Sequence, residues 1–296
     1  MIVPGETAST RFVLVTGAST GIGAACASAC AAQGMTVFAG VRDHQAGDRL
    51  CRSGHAIVPL HLDVTDQTSI KQAAASVQKA VGGAGLSGLV NNAGIVIGSP
   101  LEVVPLEALR RQLEVNVVGQ IAVTQAFLPL LRAARGRIVN MGSIAGRSTM
   151  PLMGAYSASK HALESVTDAL RLELQPWGIS VSIVEPGAVA TPIWEKSLKL
   201  GNELESSVGV EARALYEESS RRVRDAVDRA AKRAIPPDAV VRAVLHALTA
   251  PHPKTRYLVG TDAKIRALML KWLPDRAQDW LLTKILKLPG FGSRIS

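Results

Sequence analysis

Short apolar runs alternate with longer helix-like stretches from Arg11 to Gly187. The runs are rich in β-branched residues and end in Gly, Asn, Asp or Ser, which indicates buried strands. The stretches between them are amphipathic or rich in alanine, which indicates helices. Such alternation is typical of βα units with right-handed crossovers. The pattern predicts an α/β fold, a doubly wound parallel sheet with helices on both faces.

The pattern places each predicted element. The predicted strands are residues 11–17, 35–41, 56–64, 88–94, 136–143 and 179–187. The predicted helices are residues 22–33, 68–81, 105–131 and 156–175. Farther on, a helix that begins near Pro236 precedes a last strand, residues 256–260, which we expect at the edge of the sheet.

The pattern changes after Pro192, because residues 195–234 are highly charged, favour helix and contain no strand-like run. We interpret the chain as an N-terminal tail (1–10), one domain (11–262) with a substrate lid inserted at about 192–235, and a basic amphipathic extension (263–296). The single domain is consistent with a length of 296 residues.

Composition narrows the function classes. No apolar stretch reaches the roughly 18 to 20 residues of a membrane span, and the N-terminus lacks a secretory pattern, so we expect a cytoplasmic protein. The three cysteines lack zinc-type spacing, and Cys26 and Cys30 are interpreted as buried thiols; no metal is expected. The net charge of +9 suits an anionic partner, but with 4% aromatic residues nucleic acid is not expected.

Residues 16–23, TGASTGIG, follow the first predicted strand and open the first predicted helix. Gly17 permits a sharp turn, while Gly21 and Gly23 remove side chains where backbone meets a pyrophosphate or where helix meets strand. The helix N-terminus offers free N–H groups to an anion. The loop therefore predicts a dinucleotide site.

This loop, together with Asn91-Asn92-Ala93-Gly94, Asn116, Ser143, Tyr156 and Lys160, resembles the classical short-chain dehydrogenase/reductases. The likeness covers residues 11–192, resumes near 236–262, and implies a Rossmann-type nicotinamide-dependent oxidoreductase. It implies the catalytic residues Asn116, Ser143, Tyr156 and Lys160. It implies a cofactor-binding set of Gly17, Ser19, Thr20, Gly21, Ile22, Arg42, Asp63, Val64, Asn92, Ala93, Gly94, Tyr156, Lys160, Pro186, Gly187, Val189 and Thr191.

The chemistry explains why these residue types are needed. Reduction of a carbonyl by hydride leaves an alkoxide, and the phenol of Tyr156 can donate the proton. A free tyrosine titrates near 10, so we expect the ammonium of Lys160, four residues on, and the charge of the oxidised nicotinamide to lower the phenol pKa. Ser143 would orient the carbonyl oxygen. By resemblance, Asn116 bends its helix and holds a water that links the lysine to solvent.

Cofactor selection depends on the end of the second strand. In the family an acid there binds the ribose 2′-hydroxyl of NAD, whereas here Val41 occupies that position and Arg42 follows, which suits a 2′-phosphate. Asp43 and Thr20 point the other way, because Asp43 has nearly the spacing of an NAD-binding acid and many NADP enzymes carry Lys or Arg in place of Thr20. We expect NADP(H) in preference to NAD(H).

The substrate is expected to be a hydrophobic carbonyl or alcohol of steroid, retinoid or long-chain type. The predicted substrate-binding residues are Ser143, Met150, Met153, Tyr156 and Trp194, and plain core packing is the alternative for the apolar ones. Two other functions stay open. A 3-oxoacyl thioester reductase would use the basic cluster at 221, 222 and 224, and a non-catalytic protein would bind NADP(H) as a sensor.

Partners are predicted less sharply. The resemblance implies a homodimer or homotetramer. The amphipathic tail at 264–290, interrupted by Pro274, has two open interpretations. Packing on its own domain or a partner subunit is preferred to peripheral contact with an anionic membrane.

Overall fold

The computed structural model describes residues 11–51, 54–207 and 209–289. Its sheet has seven strands, β1 (Phe12–Thr16), β2 (Thr36–Val41), β3 (Ile57–His61), β4 (Gly88–Asn91), β5 (Arg137–Met141), β6 (Ser180–Pro186) and β7 (Arg256–Val259). All pairs are parallel, in the order β3-β2-β1-β4-β5-β6-β7. Strand order reverses between β1 and β4, and a crevice is expected there at the carboxyl ends of the strands.

The helices are α1 (Gly21–Ala32), α2 (His44–Cys51), α3 (Gln67–Val81), α4 (Leu106–Leu113), α5 (Gly119–Ala134), α6 (Gly154–Glu173), α7 (Ile193–Ser207), α8 (Val210–Lys232), α9 (Asp238–Thr249), α10 (Thr261–Trp272) and α11 (Asp275–Leu286). A π-helical turn, Glu114–Val118, joins α4 to α5.

Two apolar cores lie on opposite faces of the sheet, because successive strand residues point to opposite sides. In β1, Val13 and Val15 pack with α1 and α9, whereas Leu14 packs with α3 and α5. Cys26 and Cys30 lie in the first core as free thiols, and burial raises the pKa of both, which confirms their interpretation as buried thiols.

The predicted fold class is confirmed, and the predicted strands are all present with slightly shorter bounds. The predicted helix at 105–131 is wrong in one respect, because the π-helical turn interrupts it. The sequence pattern missed α2, a short helix of mostly polar residues. Asp43, directly before it, accepts a hydrogen bond at Oδ1 from the Gln45 N–H (3.0 Å).

One helical stretch, Leu106–Ala134, is long and apolar enough to cross a membrane by length and composition alone. This differs from the expectation that no stretch would qualify. Within the fold the stretch contributes Val123, Phe127 and Leu131 to the second core, all fully buried, as the core helix of a globular domain does.

The second half of the chain adds helices around the sheet edge. The segment predicted as a lid contains α7 and α8, called here the cover helices. The C-terminal extension contains α10 and α11, which buries Ala263 and Leu286 but leaves Leu268, Trp272 and Trp280 60 to 71% exposed. The predicted tail at 1–10 and the end of the extension at 290–296 lie outside the described residues.

Candidate active site

The glycine-rich loop between β1 and α1 forms an anion cradle. Gly17 and Gly21 have φ of +63° and +60°, a region that residues with a Cβ rarely adopt. A Cβ on Gly17 would lie 2.8 Å from the Cα of Ala93. Helix α1 has no acidic residue in its first turn, and its N-cap, Thr20, makes no side-chain cap bond. The N-terminal N–H groups of α1 can therefore receive an anion.

Asn92 holds this loop in place. Its Nδ2 donates to the carbonyls of Thr16 (2.9 Å) and Gly17 (3.1 Å), and the N–H groups of Asn92 and Ala93 both donate to Thr16 Oγ1 (3.0 Å). A Cβ on Gly23 would lie 2.4 Å from Asn92 Nδ2. Asn92 is in the predicted cofactor set, and its side chain serves the shape of the cradle.

Arg42 and Asp63 border the same groove beyond the ends of β2 and β3. Asp63 Oδ1 accepts from the N–H (2.9 Å) and Oγ1 (2.8 Å) of Thr65. Burial raises the pKa of Asp63, but the Thr65 hydrogen bonds and the charge of Arg42 outweigh burial, so the carboxyl lies below its ordinary pKa. Asp43 does not line the groove, because its side chain faces the first turn of α2.

Ser143, Tyr156 and Lys160 meet beyond the end of β5. Ser143 Oγ accepts from the N–H of Ala145 (3.1 Å) and hydrogen-bonds the Tyr156 side chain. Lys160 is buried, donates from Nζ to the carbonyl of Met141 (2.7 Å) and lies 5.8 Å from the centre of the Tyr156 ring. A phenol, a hydroxyl and an ammonium therefore converge at one place, as proton transfer to a bound oxygen requires.

Burial dominates the titration of this group. It raises the pKa of Tyr156, and the Ser143 hydrogen bond only partly opposes it. Burial also lowers the pKa of Lys160 to about 8, against the charge of Glu164. The raised pKa of Tyr156 is the opposite of the expected lowering, since removal from water disfavours the phenolate more than its neighbours favour it.

Asn116 lies behind the groove. It is fully buried in the π-helical turn, where Oδ1 accepts from the N–H of Ile95 (2.9 Å) and Nδ2 donates to the carbonyl of Ile95 and to Ser159 Oγ (both 3.0 Å). The amide thus joins the loop after β4 to α6. It is a positioning residue, because these contacts occupy its side chain without reaching the groove.

The segment after β6 forms the opposite wall of the groove. The N–H of Ala188 donates to Asp262 Oδ2 (2.8 Å), and a Cβ on Gly187 would lie 2.1 Å from that oxygen. A Cβ on Gly21 would lie 3.2 Å from the Thr191 side chain. Asp262 therefore leaves little room for a side chain at Gly187, and the approach of this segment to the cradle leaves little room at Gly21.

A single groove of about 860 Å³ collects the predicted residues. Except for Asn116, every predicted catalytic, cofactor-binding and substrate-binding residue lines it. An adjoining apolar pocket of about 120 Å³ shares Val96, Met153, Trp194, Ser197 and Val227 with the groove. One wall of this pocket is Leu152, whose φ of +65° is strained for a residue with a branched side chain.

Several groove residues escaped the sequence analysis, among them Lys196 on α7, and Asp262 and Arg266 on α10. Arg266 donates from Nε to Ser148 Oγ (2.7 Å), close to the predicted substrate region. No short motif surrounds these residues. Only their places on helix faces that turn toward the sheet edge distinguish them from other charged residues of the same helices.

A sequence model described as short chain dehydrogenase matches residues 11–200. The chain is 36% identical over 286 residues to the NADPH-dependent 3-dehydrocapnine reductase of Ornithobacterium rhinotracheale, covering 94% of this chain and 98% of that protein. It is 38% identical over 300 residues to retinol dehydrogenase 5 of Mus musculus, covering 96% and 91%. A crystal structure of a short chain dehydrogenase from Burkholderia cenocepacia in complex with NADP is similar, with a TM-score of 0.69, 29% identity and coverage of 95% and 98%.

Proposed function

The chain belongs to the short-chain dehydrogenase/reductase family of oxidoreductases, and on that premise we propose that it transfers a hydride between NADP(H) and the carbonyl or secondary alcohol of an apolar substrate. The observation that carries this proposal is the convergence of Ser143, Tyr156 and Lys160 in the groove that also contains the anion cradle.

The groove fits a nicotinamide dinucleotide. The cradle would hold the diphosphate at the N-terminus of α1. The positive-φ glycines leave space for it, and the first turn of α1 has no acidic residue that would repel it. Asp63 and Val64 would hold the adenine, and residues 186–191 together with Lys160 the nicotinamide end. When bound, the nicotinamide supplies or accepts the hydride.

Arg42 supports NADP(H) in preference to NAD(H). It lines the groove, where a guanidinium suits a phosphate, whereas Asp43 faces α2 and cannot act as the ribose acid in this arrangement. One relative is named as NADPH-dependent, and one similar structure holds NADP, which adds support.

Tyr156 is the proposed proton donor in reduction and acceptor in oxidation. Ser143 fixes the phenol by their hydrogen bond and would hold the substrate oxygen beside it. Lys160 places a positive charge near the phenol ring, which stabilises a phenolate. Asn116 acts through these groups, since its bonds to Ile95 and Ser159 fix the loop and the helix that surround them.

The substrate is proposed to be apolar and elongated. Met150, Met153 and Trp194 line the groove that also contains Tyr156. The adjoining pocket continues between the cover helices, which we propose as a substrate lid. Similar chains are named retinol dehydrogenases and 17-beta-hydroxysteroid dehydrogenases, which supports this class. The thioester alternative loses support, because Arg222 pairs with Glu218 (3.1 Å) and Arg224 donates to Asn202 (3.5 Å).

We also propose a cytoplasmic homodimer or homotetramer. The extension supports a further contact, because Leu268, Trp272 and Trp280 project from it into solvent with basic neighbours. Such an exposed apolar face could contact either a partner subunit or an anionic membrane surface.

The test is oxidation of NADPH by the purified protein against steroid, retinoid, long-chain aliphatic and 3-oxoacyl thioester carbonyls, with NADH in parallel. We expect turnover of one apolar class, faster with NADPH. Turnover confined to the thioesters would favour the alternative reductase. Tight NADPH binding without turnover of any carbonyl would contradict the enzyme proposal and favour a sensor.

A further inference from the structure

Lys196 reaches from the first cover helix to the cradle. It lies near the start of α7, directly after the groove wall at Thr191. Its Nζ donates to Oγ1 of Thr20, the N-cap of α1, over 3.3 Å and across 176 residues of sequence. Both side chains line the groove. In the part of the chain that the structure describes, this is the only hydrogen bond of the Lys196 side chain.

The charge arrangement at this contact is unfavourable without a ligand. A helix N-terminus carries a partial positive charge, and α1 has no acidic residue in its first turn to neutralise it. Lys196 adds an ammonium at the same end. The N-terminus of α1 and the Lys196 ammonium repel each other, and an anion bound between them would attract both. The arrangement therefore suits a bound anion.

We propose that Lys196 binds the diphosphate of the dinucleotide and thereby fastens the cover helices over the bound cofactor. The inference rests on the proposed function, since it requires a dinucleotide in this groove. The diphosphate is the occupant because Thr20 stands at the N-terminus of α1, where the cradle receives it, whereas the 2′-phosphate belongs beside Arg42 beyond β2.

The same contact connects cofactor binding with the substrate pocket. Trp194 and Ser197, which flank Lys196 on α7, line both the groove and the adjoining apolar pocket. Trp194 is further fixed by its Nε1 hydrogen bond to the carbonyl of Val189 (2.7 Å). Fastening α7 at Lys196 therefore positions two walls of the substrate pocket.

The test compares Lys196→Met with Lys199→Met, a neighbouring exposed lysine on α7 that does not line the groove. Dissociation constants for NADPH, NADH and ADP are measured by titration calorimetry without substrate. Lys196→Met should weaken all three by a similar factor of about five, as expected for loss of one exposed charge-assisted contact. Lys199→Met should stay within about twofold of the wild type, and Lys196→Arg should retain most of the affinity.

Amide hydrogen exchange measures whether the cover helices are held in place when the cofactor binds. In the wild type, NADPH should slow amide exchange in α7, and in Lys196→Met this protection should be lost at saturating NADPH. Unchanged affinity and protection in Lys196→Met would overturn the proposal. So would a loss confined to NADPH, since that would assign Lys196 to the 2′-phosphate. If the wild type bound no dinucleotide, the proposed function itself would fail instead.

Discussion

The carboxyl edge of the sheet and the helices that cover it follow different rules. At the edge, the cradle depends on Gly17 and Gly21, whose backbone conformations and close contacts exclude other residues. In the cover helices, Trp194 and Lys196 reach the groove as side chains of α7, a regular helix. The match to the family model ends at residue 200, near the start of the cover. In the proposed function, the edge would carry out the reaction and the cover helices would select the substrate.

The largest effect should come from the edge. Tyr156→Phe removes the proton donor while keeping the ring, so turnover should fall by about 10²- to 10⁴-fold. NADPH affinity should change little, because the contacts of the cradle are untouched. Steady-state rates and NADPH titrations on the same preparation separate the two effects. A variant that keeps most of its turnover would show that another group supplies the proton.

A smaller effect should come from the cofactor end of the edge. Arg42→Ala should raise the dissociation constant for NADPH by about tenfold to a hundredfold, the usual worth of a hydrogen bond to a charged group. NADH affinity should stay within about twofold. Asp43→Asn is the matched control, because Asp43 faces α2. Equal losses for NADPH and NADH in Arg42→Ala would remove the argument for NADP(H).

These two regions also differ in how far the sequence predicted them. The strands and the groove-lining set at the edge could be predicted, since a glycine turn or a Tyr-x-x-x-Lys spacing has a geometric cause. Lys196 and Arg266 could not, because a charged residue on a charged helix gives no sign of the direction it faces. The role of Asn116 was predicted only by resemblance, and the π-helical turn that buries it has no periodic signal.

The balance of burial and charge around Lys160 could not be predicted either. Near it, Glu164 and Glu185 share Arg256, which lies 3.2 Å from Glu164 and 3.6 Å from Glu185, and Arg147 lies 2.6 Å from Glu185. Burial raises the pKa of Glu164 to about 7, with Glu185 adding to the effect and the arginines opposing it. This cluster forms only when α6, β6 and β7 come together.

Glu164 therefore gives a pH-dependent stability. Because its folded pKa lies above its unfolded value of about 4.3, its contribution is full below that value and is lost as the pH rises through 7. Between pH 5 and pH 8 the free energy of unfolding of the wild type should fall by about 1 to 2 kcal/mol relative to Glu164→Gln. Urea denaturation at both pH values measures this difference.

Asp168→Asn is the control for that experiment. The hydrogen bond from Arg256 holds the pKa of Asp168 below its ordinary value, so its contribution is complete at pH 5 and is lost only at lower pH. The variant should therefore keep the wild-type difference between pH 5 and pH 8. If Glu164→Gln also kept it, the buried cluster would not respond to pH in this range.

The smallest effect on stability should come from the extension. Trp272 is 71% exposed, so Trp272→Gln should change the free energy of unfolding by less than about 0.5 kcal/mol. Phe127→Ala, in the core, should cost about 3 to 5 kcal/mol. Chemical denaturation compares the two. A loss above about 1 kcal/mol for Trp272→Gln would mean that the extension is part of the stable core, and the contrast between edge and cover would not extend to it.

If Trp272 adds little to the stability of its own chain, a contact with another molecule would explain its exposed position. Trp280→Gln tests the two proposed contacts in the same preparation, because Trp280 is also exposed, at 63%, with Lys284 5.9 Å from its ring centre. Weaker sedimentation with anionic vesicles at unchanged oligomeric state would assign the face to a membrane surface. Dissociation of the oligomer without any change in vesicle binding would assign it to a second copy of the chain. In either case the exposed face belongs to the extension, at α10 and α11, while the proposed chemistry stays at the edge.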